Sequence, residues 1–97
     1  MNIEAEIQIL DVSHLGKDFV RKSGWRPNHN FFNDTTMGVG QINFKNCEFV
    51  YPGDVVRAEI HFIPWDRMNS LEEGDVWSIQ EGNKKIATGK ILRIDPH

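Results

Sequence analysis

The sequence predicts an all-β protein, a small closed antiparallel barrel of six strands. Three observations lead there. Apolar and polar residues alternate with period two along several segments. No segment keeps an apolar 3.6-residue period over three turns, so essentially no helix is expected. Turns rich in Gly and Pro punctuate the chain at short intervals, and closing the sheet removes the long edges that invite aggregation.

The most informative stretch runs from Leu71 to Ile94. Glu81-Gly82-Asn83-Lys84 is a two-residue hairpin loop in which Gly82 supplies the positive φ of a type II′ turn. With Glu81 facing Lys84, Gln80 falls opposite Lys85, Ile79 opposite Ile86 and Trp77 opposite Thr88. Trp77, Ile79, Ile86 and Thr88 then share one face. Leu92 and Ile94 extend the second arm beyond a kink expected at Gly89.

The remaining elements follow in order. Asn2 to Leu10 alternates strictly, with Ile3, Ala5, Ile7 and Ile9 on the inner face. Asp11 to Gly24 loses any period and is expected to be a long loop, with Lys17, Arg21, Lys22 and Arg26 clustered against Asp18. Pro27 biases Arg26 towards extended backbone. Phe31-Phe32 opens a short strand, and Asn33-Asp34-Thr35-Thr36 has turn chemistry. Met37 to Phe44 is a strand bent or bulged near Gly38 and Gly40. Cys47, Phe49 and Tyr51 are expected on one apolar face of the next strand. Pro52-Gly53-Asp54 forms a type II turn, and Val55 to Ile63 points Val56, Ala58, Ile60 and Phe62 inward. Pro64 ends that ladder, and Pro64 to Ser70 is a loop.

Length and composition set the class. The 97 residues suffice for a single domain with its own core, spanning the whole chain. Cys47 is the only cysteine, so neither an internal disulfide nor a Cys-rich zinc site is expected. No signal-peptide pattern or membrane-length apolar run is present, and a cytoplasmic location is the default expectation. A net charge of −3 argues against a grip on many phosphates, although it leaves room for a local basic patch.

Four stretches, in order, carry a resemblance. Gly24-Trp25-Arg26-Pro27, Asp34-Thr35-Thr36, Val50-Tyr51-Pro52-Gly53-Asp54, and Leu71-Glu72-Glu73-Gly74 with Ile79-Gln80-Glu81-Gly82 and Gly89 are similar to the corresponding segments of the C-terminal barrel, domain three, of elongation factor Tu. The resemblance covers about Ile3 to Ile94 and implies a six-stranded antiparallel barrel of that type. The GTP-binding domain and second barrel have no counterpart here. No Gly-rich phosphate loop occurs, so neither nucleotide nor any other cofactor is expected. The resemblance implies contact with tRNA through Arg26, Thr35, Thr36, Glu81 and Gly82. Two family arginines are replaced, by Asp34 and Gln80, which removes cations from a phosphate-facing surface.

The residue chemistry points away from catalysis. His14, His29, His61 and His97 fall in two loops, a strand face and the terminus, without ligand spacing, so no metal site is expected. Glu72-Glu73 are neighbours on extended chain and point apart, as turn residues rather than an acid–base pair. Trp65 has two readings: a plug for one barrel end, or a partner anchor together with Arg67 and Met68. Trp25 and Trp77 suit core or rim packing, and Arg26 could bond strand-end carbonyls.

The expected function is therefore a non-catalytic binding module acting by protein–protein recognition, through the 64–70 loop or an exposed strand edge. It would imitate or regulate a translation factor. The alternative is tRNA or RNA binding through the 17–26 loop and Lys84-Lys85, meeting at one barrel end. A small enzyme is the least supported reading. No membrane partner is expected, and a small homo-oligomer is compatible with each.

Overall fold

The structure, a computed structural model, describes residues 1–33 and 35–95. Asp34, Pro96 and His97, and with them the expectations placed on Asp34 and His97, lie outside the described residues. The elements run in the order β1 (Asn2–Ile9), α1 (Val12–Leu15), β2 (Arg21–Lys22), β3 (Asn28–Asn30), β4 (Gly38–Phe44), β5 (Phe49–Val50), β6 (Val55–Phe62), a 3-10 helix (Asp66–Ser70), β7 (Val76–Glu81) and β8 (Lys84–Asp95). Six strands close a barrel in the order β1-β6-β4-β3-β7-β8, every pair antiparallel, and β8 returns to β1. The all-β closed barrel predicted from alternation is thus observed.

Period two decides what is inside. Ile3, Ala5, Ile7 and Ile9 of β1 face Ala58 and Ile60 of β6 and Ile91 of β8 in the core. Across β1 and β6 Ile3 pairs with Ile60 and Ala5 with Ala58, while Ala5 meets Ile91 of β8 on its other side.

Several expectations are corrected. The 11–24 segment is not a plain loop, since it holds α1 and β2. One helical turn buries no residue, so it carries no apolar period to be recognised by. The strand expected at Phe31-Phe32 lies instead at Asn28–Asn30. Cys47, Phe49 and Tyr51 all face solvent, and Val50 is the buried residue. The alternation was right and its sense inverted: β5 pairs with β2 as a cap over one barrel end, where only one face has a neighbour.

The hairpin holds at its tip. Glu81 faces Lys84 and Gln80 faces Lys85, but the register then shifts, so that Ile79 faces Ala87 and Trp77 faces Gly89. Ile86 and Ala87 are consecutive and both buried, as a bulged strand allows. Gly82 has φ +59°, and Asn33 is the sole non-glycine with positive φ among the described residues, which is the φ pattern of type II′ rather than type I′.

No break occurs at Gly89, and β4 pairs with β6 in continuous register from Gly40 to Phe44. Both glycines lie against aromatic rings. A Cβ on Gly89 would lie 2.5 Å from the Trp77 indole, and one on Gly40 would lie 2.6 Å from the Phe62 ring.

Two further turns share one construction. In Tyr51-Pro52-Gly53-Asp54 and Glu72-Glu73-Gly74-Asp75 the third residue is a glycine of φ +86° or +93°. The aspartate N–H donates to the first residue's carbonyl at 3.1 Å in each case. The aspartate carboxylate in turn accepts the N–H of Tyr51 at 2.8 Å or of Glu72 at 2.9 Å. Glu72 and Glu73 are therefore turn residues, as expected.

His29, expected in a loop, is a fully buried residue of β3. Trp77 Nε1–H donates to His29 Nδ1 at 3.0 Å, which leaves Nε2–H to donate to the Gly40 carbonyl at 3.2 Å. The ring is satisfied only when neutral, and burial pushes its pKa down from 6.5 to about 4.

The unfolded chain therefore binds a proton that the folded chain refuses. His29 contributes stability in full above about pH 6.5 and loses it as pH falls towards 4, at about 1.4 kcal/mol per pH unit. Urea unfolding between pH 7 and 5 should show this slope, and His29→Gln should flatten it. Gly89→Ala should cost about 1–3 kcal/mol by overpacking against Trp77. Gly53→Ala meets no atom within 4 Å and should cost only its backbone strain, about 1 kcal/mol.

Candidate functional site

Strand direction sorts the sequence-derived candidates onto two ends of the barrel. β7 runs from Val76 at one end to Glu81 at the other, roughly 17–20 Å of extended chain. The 82–83 hairpin loop, the 10–24 segment and the 45–54 segment share the hairpin end. Met1, Phe31 to Asn33, Thr35 to Met37 and the 63–75 segment share the opposite end.

The RNA-facing set does not form one patch. Glu81, Gly82, Lys84 and Lys85 lie at the hairpin end, Thr35 and Thr36 at the opposite end, and Arg26 on the barrel wall. The expectation that the 17–26 loop meets the hairpin is correct, and the contact is specific. Arg21 Nε donates to Glu81 Oε2 at 2.7 Å, its Nη2 to Oε1 at 2.5 Å, and Trp25 Nε1 to Oε2 at 2.8 Å. The Phe19 ring lies under the Arg21 guanidinium at 4.2 Å. The Arg21 guanidinium, with help from Trp25, holds the Glu81 carboxyl below its ordinary 4.5.

Glu81 is thus spent on joining loop to barrel. Lys22 pairs with Glu48 at 3.5 Å and Lys45 with Glu4 at 2.8 Å, so with Arg21 three cations of this end are each matched by an acid. Lys84 and Lys85 remain exposed at the tip.

The opposite end is built differently. Met68 of the 3-10 helix is fully buried and takes the plugging role considered for Trp65. It is not an accessible anchor, which corrects its place in the partner-binding set. Trp65 packs edge-on against Phe32 with ring centroids 5.6 Å apart. The exposed Arg67 stacks over Phe32 at 4.3 Å and faces Trp65 at 5.4 Å. Behind them Phe31 stacks on Trp77 at 4.9 Å, so the cluster rests on the core.

Next to Trp65 the barrel wall is apolar where its pattern calls for polar residues. Val39 is 52% exposed and Ile63 64%, and Ile63 N–H donates to the Val39 carbonyl at 3.0 Å. A hollow of about 240 Å³ opens between this ridge, Met37, Pro64 and Trp65. Sequence reasoning missed Val39, Ile63 and Phe32. The signal was available for the first two, since Val39 shares parity with Gln41 and Asn43, and Ile63 with Arg57 and His61.

Arg26 does not bond strand-end carbonyls as considered. Its Nε and Nη2 both donate to the Gln41 side-chain oxygen, at 3.3 and 3.0 Å. Each of the six barrel strands has a paired neighbour on both sides, although β3 covers β7 only from Ser78 to Gln80. Among the described residues no cluster of three or more His, Cys, Asp or Glu is disposed to hold a metal, and no helix is long and apolar enough to cross a membrane.

No family model matches this chain. Its candidate site therefore stands on geometry and chemistry alone.

Replacing Glu81 by Gln should cost about 1 kcal/mol, a modest value because about a third of each partner stays in solvent. Because the folded carboxyl titrates below 4.5, wild-type stability from this pair is present above that pH and lost as pH falls through the lowered value. The difference between wild type and Glu81→Gln in urea melts should therefore shrink between pH 5 and 3.

Proposed function

We propose that this chain is a non-catalytic protein-recognition module, a barrel of the elongation factor Tu domain-three type that imitates or regulates a translation factor. The observation that carries the recognition role is the half-buried Trp65 in contact with Phe32 and Arg67, beside the exposed Ile63 and Val39. Trp and Arg dominate binding energy where they are held rigidly on a surface. Here the ring packs on Phe32 and against the core cluster that includes Met68. The domain-three type is supported by the six-stranded closure and by where the shared motifs fall. Gly24-Trp25-Arg26-Pro27 leads into β3, Pro52-Gly53-Asp54 turns into β6, and Gly82 caps the hairpin.

RNA binding is the second reading, favoured by the Arg21–Glu81 contact that brings the 17–26 loop to Lys84 and Lys85. The acids paired with Arg21, Lys22 and Lys45 count against it.

Capture from cell extract by the immobilised protein should retain a protein partner that Trp65→Ala loses, a cost of about 2 kcal/mol or more. Equal retention by both forms overturns the reading. The RNA reading predicts tRNA binding at low salt that Lys84→Ala/Lys85→Ala weakens, and no binding even there removes it.

A further inference from the structure

We infer that the wall between Trp65 and Arg26 is a groove for an extended segment of a partner protein, one bearing an acidic side chain about four residues from a large apolar one. The inference rests on the protein-recognition reading and names the partner's chemistry. Two hollows flank the Val39–Ile63 ridge. The one beside Trp65 is the 240 Å³ hollow already described. The other, about 160 Å³, is lined by Arg26, Gln41 and His61. Both fall below the roughly 300–1,000 Å³ of small-molecule pockets, so each suits one side chain rather than a whole ligand.

Charge decides what the second hollow takes. Among the described residues Arg21, Lys22, Lys45 and Arg93 each have a carboxylate within 4.0 Å. Arg26 is exposed, and two of its nitrogens donate to the neutral side-chain oxygen of Gln41. A guanidinium has five N–H donors in a planar fork, so a carboxylate can be bound bidentately without displacing Gln41. His61 does not compete for that role, being held between Asn2 at 2.6 Å and Glu59 at 3.3 Å.

The spacing follows from the strands. Gln41, which carries Arg26, is two residues from Val39 along β4, and Trp65 is two residues beyond Ile63. Arg26 and Trp65 are thus separated by about four extended residues, roughly 13 Å. Both edges of β6 are occupied by β1 and β4, so the partner is recognised through its side chains and not by adding a strand.

Selection of random decapeptides displayed on phage against the intact protein tests this. Enriched peptides should carry Asp or Glu three to five positions from Leu, Ile, Met, Phe or Trp, and should shift the amide resonances of Val39, Gln41 and Ile63. Arg26→Glu should weaken them at least tenfold, and replacing the peptide acid by Lys should restore binding to that variant. Arg26 is exposed, so the variant should unfold at the wild-type urea midpoint. Peptides without an acid, indifferent to Arg26→Glu but lost in Trp65→Ala, overturn the inference and leave the barrel-end reading standing. Peptides that shift only Gly82 to Lys85 overturn both. Absence of enrichment, or a homodimer in sedimentation that Ile63→Asp dissociates, overturns the inference alone.

Discussion

Trp77 is the residue through which the barrel is tied together. Its indole lies on the bare backbone of Gly89 in β8, its N–H donates to His29 in β3, and its ring stacks on Phe31. His29 extends the tie to the Gly40 carbonyl in β4 and packs edge-on to Phe62 of β6 at 4.7 Å. One indole and one imidazole thereby connect strands that pair at only a few residues. The tie matters most at β3, which is three residues long and pairs with β4 at two positions. Backbone hydrogen bonds alone hold so short a strand weakly. A buried polar pair that is fully satisfied fixes its position, because any slip would strand a donor away from water.

The two barrel ends then differ in chemistry for a structural reason. At the hairpin end a long segment must be secured to the barrel, and Glu81 does this by accepting from both Arg21 and Trp25. Charges used in that way are no longer offered to a ligand. At the opposite end the securing is apolar: Met68, Phe31 and Leu71 pack against the core. That leaves Trp65, Arg67, Ile63 and Val39 facing outward on a rigid base, which is the arrangement a recognition surface needs.

Particular residues show how far the sequence could be followed. The inward set of β1 and β6 was legible because each strand has one wet face, and any slip of one residue would invert it. The tip of the hairpin was legible because Gly82 admits few turn types. The shift after Gln80 was not, because Ile86 and Ala87 are both apolar and either parity satisfies the pattern. Cys47, Phe49 and Tyr51 misled for a related reason: Val50 alternates with them equally well, and a two-residue cap strand offers too little pattern to choose a face. His29 was invisible as a core residue, since only its two hydrogen-bond partners, remote in sequence, make its burial tolerable.

The sequence by itself determined the all-β class, the barrel walls and the turn at each Gly-Asp pair, because period-two burial and positive φ are local demands. Tertiary structure alone decided which charges are spent and which are offered. Glu81 meets Arg21 across sixty residues of chain, and Val39 becomes a ridge only when Ile63 is brought beside it. Such pairings depend on which strands become neighbours when the sheet closes, and no local pattern encodes that.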